Sequence, residues 1–291
     1  MKLRGLFLAV FILFYSLLSA QSDGILWKVS GNGLTKPSYL FGTIHAYCDK
    51  DKIFTDDFVS TFKSVDVVAM ELNLNDFSTF VYLMKASMKA SEKPISSFLT
   101  PNETYLLDSI CQKILGDSLV NLDKRSPISL LAKMYLSDSV IGCSPIPLDF
   151  IVAELAKRNN KESYGLESPQ FQDSLLNNIP DSIQVKWLLE FAMNIEQAKL
   201  DFKNLLKAYD SQQSKSIYEI SFRTSPEMLF LKDVLLDNRN KNWVDYLLRN
   251  IHTKSYFVAV GAAHIAGEFG MVELLRKNGF QLDPIMIKFN K

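Results

Sequence analysis

The chain opens with an apolar run from Leu6 to Leu18, preceded by Lys2 and Arg4 and followed by Ser19-Ala20-Gln21. Charge, then an apolar core, then small residues is the order of a secretory signal peptide, with cleavage expected after Ala20. The run falls short of the roughly 20 apolar residues a single-pass anchor needs, so no stable membrane span is expected after cleavage. Beyond it, apolar positions first follow a strand pattern. Gly24–Ser30 and Ser38–Thr43 flank the turn signal Gly31-Asn32-Gly33 and predict a hairpin. Asp66–Leu72, Ser163–Leu166, Ser255–Gly261 and Phe280–Ile287 predict further short strands, and Ser255–Gly261 (SYFVAVG) is the strongest.

Between these strands the apolar period lengthens to that of a helix. Asp149 is placed to cap a helix over Phe150–Arg158. Ile183–Tyr209 carries Trp187, Phe191, Ile195 and Ala198 on one face and reads as a single long helix. Pro226 opens another, containing Leu229, Leu236, Trp243 and Leu247, and Glu268–Lys277 forms a last one that stops before Gly279. The pattern predicts an α/β fold: a central mixed β-sheet flanked by helices, with a helical insertion in the middle of the chain. One domain over residues 21–291 is expected, with the insertion at roughly 76–145 and 170–250. Continuous apolar strands suit a sheet covered on both faces. Ligands of such sheets gather at the carboxyl ends of the strands.

Composition narrows the function classes. Basic and acidic residues balance at 32 each without a basic stripe, which excludes nucleic acid as a partner and leaves a peptide or small-molecule substrate. Three cysteines, Cys48, Cys111 and Cys143, allow one disulfide and a spare thiol, or three free thiols. No Cys-x-x-Cys pair supports a thiolate zinc site, and Cys48 is read as a small buried hydrophobe.

Histidine is scarce, and two of the three share a setting. Leu40-Phe41-Gly42-Thr43-Ile44-His45 and Val258-Ala259-Val260-Gly261-Ala262-Ala263-His264 each run strand, Gly, two small or apolar residues, His. The glycine permits a sharp turn or close approach at the strand's end, and the histidine then sits where sites form. A neutral imidazole ligates zinc, manganese or cobalt and also transfers protons near neutrality. His252 lacks this context and reads as a surface residue. Glu71 and Glu167 also follow strand-like runs; each is a candidate metal ligand, general base or salt-bridge partner. Arg239 lies on an amphipathic helix and can steady a carboxylate or an oxyanion. Phosphate-loop, His-Glu-x-x-His and Gly-x-Ser-x-Gly patterns are absent.

Taken together, these segments resemble the TraB/GumN family, which includes the Tiki proteins. The resemblance runs from about Ile25 to Ile287. It rests on Leu26-Trp27-Lys28, Tyr39 to His45, Met70-Glu71-Leu72 and Leu148-Asp149. It continues through Gly165-Leu166-Glu167-Ser168 and Arg239-Asn240-x-x-Trp243 to Val258–Gly267. The resemblance implies a fold similar to erythromycin-esterase-like and ChaN-like proteins, and a metal-dependent protease using manganese or cobalt. By that likeness His45 and His264 would be metal ligands or catalytic groups, with Glu71 as the matching acid.

The expected function is thus an exported hydrolase with a divalent metal (Mn, Co or Zn) on His45, His264 and Glu71. Glu71 or Glu167 would act as general base and Arg239 would steady negative charge. Two alternatives stay open: a metal-free esterase-like site with a histidine base, and a non-catalytic exported protein binding a peptide or haem-like ligand in the same pocket.

Overall fold

The computed structural model describes residues 23–222 and 231–290. The expected signal peptide lies outside the described residues, as do Pro226 and Leu229 of the predicted helix. Six strands form one mixed sheet: β1 (Leu26–Gly31), β2 (Ser38–Thr43), β3 (Val67–Met70), β4 (Glu162–Gly165), β5 (Tyr256–Gly261) and β6 (Phe280–Pro284). Their spatial order is β4-β3-β5-β2-β1-β6. The first four in that order are mutually parallel, and β1 pairs antiparallel with both β2 and β6.

Longer helices fill the connections. After β2 comes α1 (Asp56–Lys63); after β3 come α2 (Phe77–Ser87), α3 (Pro101–Leu115), α4 (Pro127–Tyr135) and α5 (Leu148–Arg158). After β4 come α6 (Pro169–Asn177), α7 (Asp181–Met193), α8 (Ile195–Asp210), α9 (Ser214–Phe222) and α10 (Asn238–Asn250). The last, α11 (Met271–Lys277), joins β5 to β6. The fold is α/β, as expected.

Strand alternation sorts the core into two layers. Phe41, Val68, Met70, Phe257 and Ala259 face one side, against Phe58 and Phe62 of α1 and Leu148 and Val152 of α5. Leu40, Val67, Ala69, Val258 and Val260 face the other, against Trp243 and Leu247 of α10 and Val272 and Leu275 of α11. Both faces are therefore covered, which is why the central residues of β2, β3 and β5 are apolar on both faces. Phe41 packs edge-on to Phe58 at 4.9 Å; burying such a ring contributes about 2–3 kcal/mol. A third cluster, including Leu107, Cys111, Met134, Leu188 and Phe191, ties α3, α4 and α7 together away from the sheet.

Four expectations need correction. The single helix over Ile183–Tyr209 is two helices, because Asn194 adopts φ −122°, ψ 33° and its side-chain amide donates to the Glu190 carbonyl, ending α7. Asp149 is not a cap: Pro147 takes the cap position of α5 and Asp149 turns to other partners. Helix α11 begins at Met271 rather than Glu268, after a left-handed Gly267 (φ 95°) and Gly270. Cys48 is exposed and forms a disulfide with Cys143, leaving Cys111 as a buried thiol.

Candidate active site at the rim of the parallel strands

Register brings the motifs together. Thr43 of β2 lies beside Gly261 of β5, and Met70 of β3 lies beside both Ala259 of β5 and Gly165 of β4. The residues just past these ends are His45, His264, Glu71 and Glu167, so four neighbouring parallel strands deliver them along one rim. The two motif glycines serve this convergence. A Cβ on Gly42 would meet the Ala262 Cα at 2.9 Å, so only glycine lets the His264 turn pack on β2. The Gly261 backbone N–H donates to Glu71 Oε1 at 2.7 Å, joining the ends of β5 and β3.

Arg239 enters from α10, directly after a π-helical turn at Asp233–Asp237. Such a turn inserts an extra residue and re-aims the next side chains. Every guanidinium N–H finds an acceptor. Nε and Nη2 clamp Glu167 at 3.0 and 2.6 Å, and Nη2 also donates to Glu71 Oε2 at 2.6 Å. Nη1 donates to the Leu235 carbonyl at 2.8 Å and to His264 Nε2 at 3.2 Å. Trp243, one turn on, stacks on both Arg239 (4.6 Å) and His264 (4.5 Å). The Gln172 amide donates to both carboxylates, at 3.2 Å to Glu71 and 3.1 Å to Glu167.

The two histidines are pinned alike and poised oppositely. His264 is buried, and its Nδ1 lies 2.6 Å from Asn240 Oδ1; donation there leaves the Nε2 lone pair to accept from Arg239. Burial holds its pKa down at about 3, so the ring is neutral. The His45 ring stands at the pocket mouth, with Nδ1 2.8 Å from Asp149 Oδ2. That hydrogen bond and the Asp149 charge raise its pKa to about 9. Thr43 donates to the other Asp149 oxygen at 2.6 Å, fixing the carboxylate. The backbone reinforces the pairing: Tyr47 bridges Ile146, Leu148 N–H donates to the Ile44 carbonyl, and the disulfide joins Cys48 to Cys143. The carboxylates diverge as well. Burial alone would raise Glu71, but Arg239, His45, the Gly261 N–H and, once its ring is protonated at low pH, His264 outweigh it and hold Glu71 at about 2. Burial raises Glu167 despite the Arg239 clamp.

His45, Glu71, Arg239 and His264 line one cavity of about 410 Å³, together with Gln172 and Leu175 of α6. Glu167 stands behind Arg239, outside that lining, and His252 is exposed elsewhere. Asp149, Asn240 and Gln172 are the partners that sequence reasoning did not assign. Asp149 had a local signal, as an acid beside a predicted helix start, and Asn240 stood only within the Arg239-Asn240-x-x-Trp243 segment of the family resemblance.

Whether this set fits a divalent metal turns on its lone pairs. The donors are right in kind, since each imidazole has Nδ1 held by a neighbour, as metal-ligating histidines do. They are not right in arrangement. His264 Nε2 is taken by Arg239, both Glu71 oxygens accept hydrogen bonds, and the nearest His264–Glu71 approach is 3.9 Å. Among the described residues no three His, Cys, Asp or Glu side chains converge. As arranged, a guanidinium is the cation that neutralises these carboxylates, and the residues do not form a metal site.

The model of the TraB/PrgY/gumN family matches residues 25–284. The chain belongs to this family. The match takes in every strand of the sheet and each residue of the rim. Within the TraB/PrgY/gumN family the chain is similar to Metalloprotease TIKI1 of Danio rerio, 23% identical over 90% of this chain and 64% of the relative. It is also similar to the Metalloprotease TIKI homolog of Nematostella vectensis, 24% identical over 90% of this chain and 67% of that protein. Metalloprotease TIKI1 of Homo sapiens is 21% identical over 91% of the chain and 62% of its own length. The chain thus spans about two thirds of the length of these relatives. No solved structure matches it. Among the described residues no helix is long and apolar enough to cross a membrane.

Proposed function

We propose that this chain is an exported hydrolase that cleaves peptide or amide bonds at the rim of the parallel strands. The observation that carries the reading is the opposite poise of two histidines in one cavity. His264 is kept neutral with its Nε2 lone pair inward, while His45 is kept protonated by Asp149. Pairs of titratable groups pushed apart in this way mark an acid and a base. In the resting site Arg239 donates to His264 Nε2. A substrate carbonyl oxygen that takes over this N–H frees the lone pair and gains a guanidinium against its developing charge. Water attacks the carbonyl carbon and gives its proton to His264 Nε2. Glu71, 3.9 Å away, steadies the imidazolium. The C–N bond then breaks and His45 supplies the proton to the leaving amine. Glu167 and Gln172 act by holding Arg239 and Glu71 in place.

Two further observations bear on this. The names of the relatives support peptide bonds as the substrate class. Export is supported by the N-terminal pattern and by the Cys48–Cys143 disulfide, which persists in an oxidising compartment. A second reading retains the metal, with His45, His264 and Glu71 as ligands. The Nδ1 anchors on both histidines favour it, and it requires Arg239 to leave His264 Nε2.

One experiment separates these. Purified protein is incubated with a quenched-fluorescent peptide library, with chelator or with added Mn²⁺ or Co²⁺, beside His264→Ala, His45→Ala and Glu71→Gln. Cleavage that survives chelator and falls at least about a hundredfold in His264→Ala supports the acid–base reading. Cleavage seen only with metal supports the second. No cleavage under any condition, or full activity in all three variants, overturns the hydrolase reading.

A further inference from the structure

Helix α2 carries an apolar stripe that the fold does not use. Phe77, Phe80, Met84 and Met88 recur at three- and four-residue steps and so fall along one line of the helix. All four are exposed, Phe77 at 78% and Met88 at 64%. The opposite line does the packing: Thr79 is buried, Tyr82, Leu83 and Ala86 are half-buried, and the Tyr82 hydroxyl donates to Asp173 of α6 at 3.0 Å. Four large apolar side chains in a continuous row go beyond the scattered exposed hydrophobics that any surface shows.

Charge says what covers this row. Lys85 lies on α2 beside the row, and Lys89 and Lys93 follow beyond the helix end at Ser87, all exposed. Lys124 and Arg125 are brought beside them, because Ala90 bridges Arg125 and the Ser91 N–H donates to the Lys124 carbonyl. The acids nearest this group, Glu92, Asp123 and Asp181, are three against five cations, so the cluster keeps a net positive charge; Asp123 and Asp181 also accept hydrogen bonds from Ser96 and Ser91. A row of exposed Phe and Met with lysines at its margin is the composition of a helix that lies in the plane of a membrane.

We propose that α2 docks this protein on the surface of a bilayer containing anionic lipid. Phe77, Phe80, Met84 and Met88 enter the acyl boundary, and Lys85, Lys89, Lys93, Lys124 and Arg125 meet the phosphates. Helix α6, on which α2 packs, carries Gln172 and Leu175 in the wall of the cavity. Docking therefore sets the candidate site one helix away from the lipid. The inference does not depend on the hydrolase reading, since it concerns binding alone.

The test is co-sedimentation of protein purified after export, its N-terminus read by mass spectrometry, with vesicles of phosphatidylglycerol and phosphatidylcholine or of phosphatidylcholine alone. Binding is expected to mixed vesicles, to weaken with salt, and to be poor on phosphatidylcholine. The variant Phe77→Ser/Phe80→Ser/Met84→Ser should lower partitioning roughly tenfold or more, and Lys85→Glu/Lys89→Glu/Lys93→Glu should abolish the lipid preference. Both sets are exposed, so melting temperatures should match the parent and serve as the folding control. Equal binding by parent and apolar variant would overturn the proposal, as would no binding to mixed vesicles. A concentration-dependent dimer that the apolar variant abolishes without any lipid effect would assign the row to a second copy and equally overturn it.

Discussion

Replacing Arg239 by Met tests whether one guanidinium holds the rim together. In the native protein Glu71 is held well below its ordinary 4.5, at about 2, because the cations and the N–H around it favour its ionised form over the cost of burial. Arg239 supplies the closest cation to Glu71 and clamps Glu167 as well. Removing it leaves two buried carboxylates facing each other, and breaking such a pair costs about 3–5 kcal/mol. Protonation limits that cost, which makes it depend on pH with a definite sign. Native Glu71, depressed, contributes stability above pH 4.5 that is lost as pH falls through about 2. In the variant, burial without a cation raises both carboxyls. A raised group keeps its contribution below its unfolded pKa and loses it as pH rises through the folded one. The deficit should therefore be widest near pH 8 and narrow toward pH 5. Thermal melts at the two pH values, with Arg239→Lys as the charge-retaining control, read this directly. A drop of roughly 10 °C at pH 8 is expected, and clearly less at pH 5. An equal drop at both values would refute the electrostatic account, and a loss below about 1 kcal/mol at pH 8 would show that these carboxylates are solvated rather than buried.

Other parts of the rim make separate predictions. By NMR, His45 should titrate near 9 and return toward 6.5 in Asp149→Asn, while His264 stays neutral down to about pH 3. Because the folded pKa of His45 is raised, the Asp149 contribution is complete below pH 6.5 and lost as pH rises through about 9; a native His45 midpoint at 6.5 would refute the pairing. The Cys48–Cys143 bridge spans a sequence separation of 95, for which chain entropy gives about 4–5 kcal/mol. Dithiothreitol should therefore lower the native melting temperature and leave Cys48→Ser/Cys143→Ser unmoved, while Cys111, its thiol pushed up to about 12 by burial, resists thiol reagents until unfolding. Gly42→Ala forces a Cβ against the Ala262 Cα and should cost about 1–3 kcal/mol; an unchanged melt would show that the His264 turn can yield.

How much of this was legible depends on how far apart the cause and effect lie along the chain. The apolar runs Tyr39–Phe41 of β2 and Tyr256–Val260 of β5 each lead into a glycine, so these strands and the histidines past them follow from local pattern. The break at Asn194 was not legible, because the apolar face of α7 runs on in phase into α8 and only an amide bonding back to Glu190 divides them. Asp149 shows the commoner failure. Its position beside a helix start suggested a cap, but Thr43 and His45 lie more than a hundred residues away in sequence and compete for the same carboxylate. Asn240 and Gln172 carry no charge and do not titrate, so nothing in their type marked them, although one fixes the His264 tautomer and the other bridges both glutamates.

The metal expectation shows the same limit at the level of chemistry. Two histidines and a glutamate at strand ends are a ligand set by residue type, and residue type is what a sequence displays. Occupancy of lone pairs is a property of the fold. A ligating His264 Nε2 must offer its lone pair to a metal, yet Arg239 Nη1 donates into that same pair. The two uses exclude each other at any instant. Arg239 has no donor left over once Glu71, Glu167, Leu235 and His264 are served, so releasing His264 requires another acceptor for that N–H. A substrate carbonyl is such an acceptor and a cation is not. In the proposed reaction an arriving carbonyl takes over that N–H and frees the base, which makes the Arg239–His264 hydrogen bond the contact on which that proposal turns.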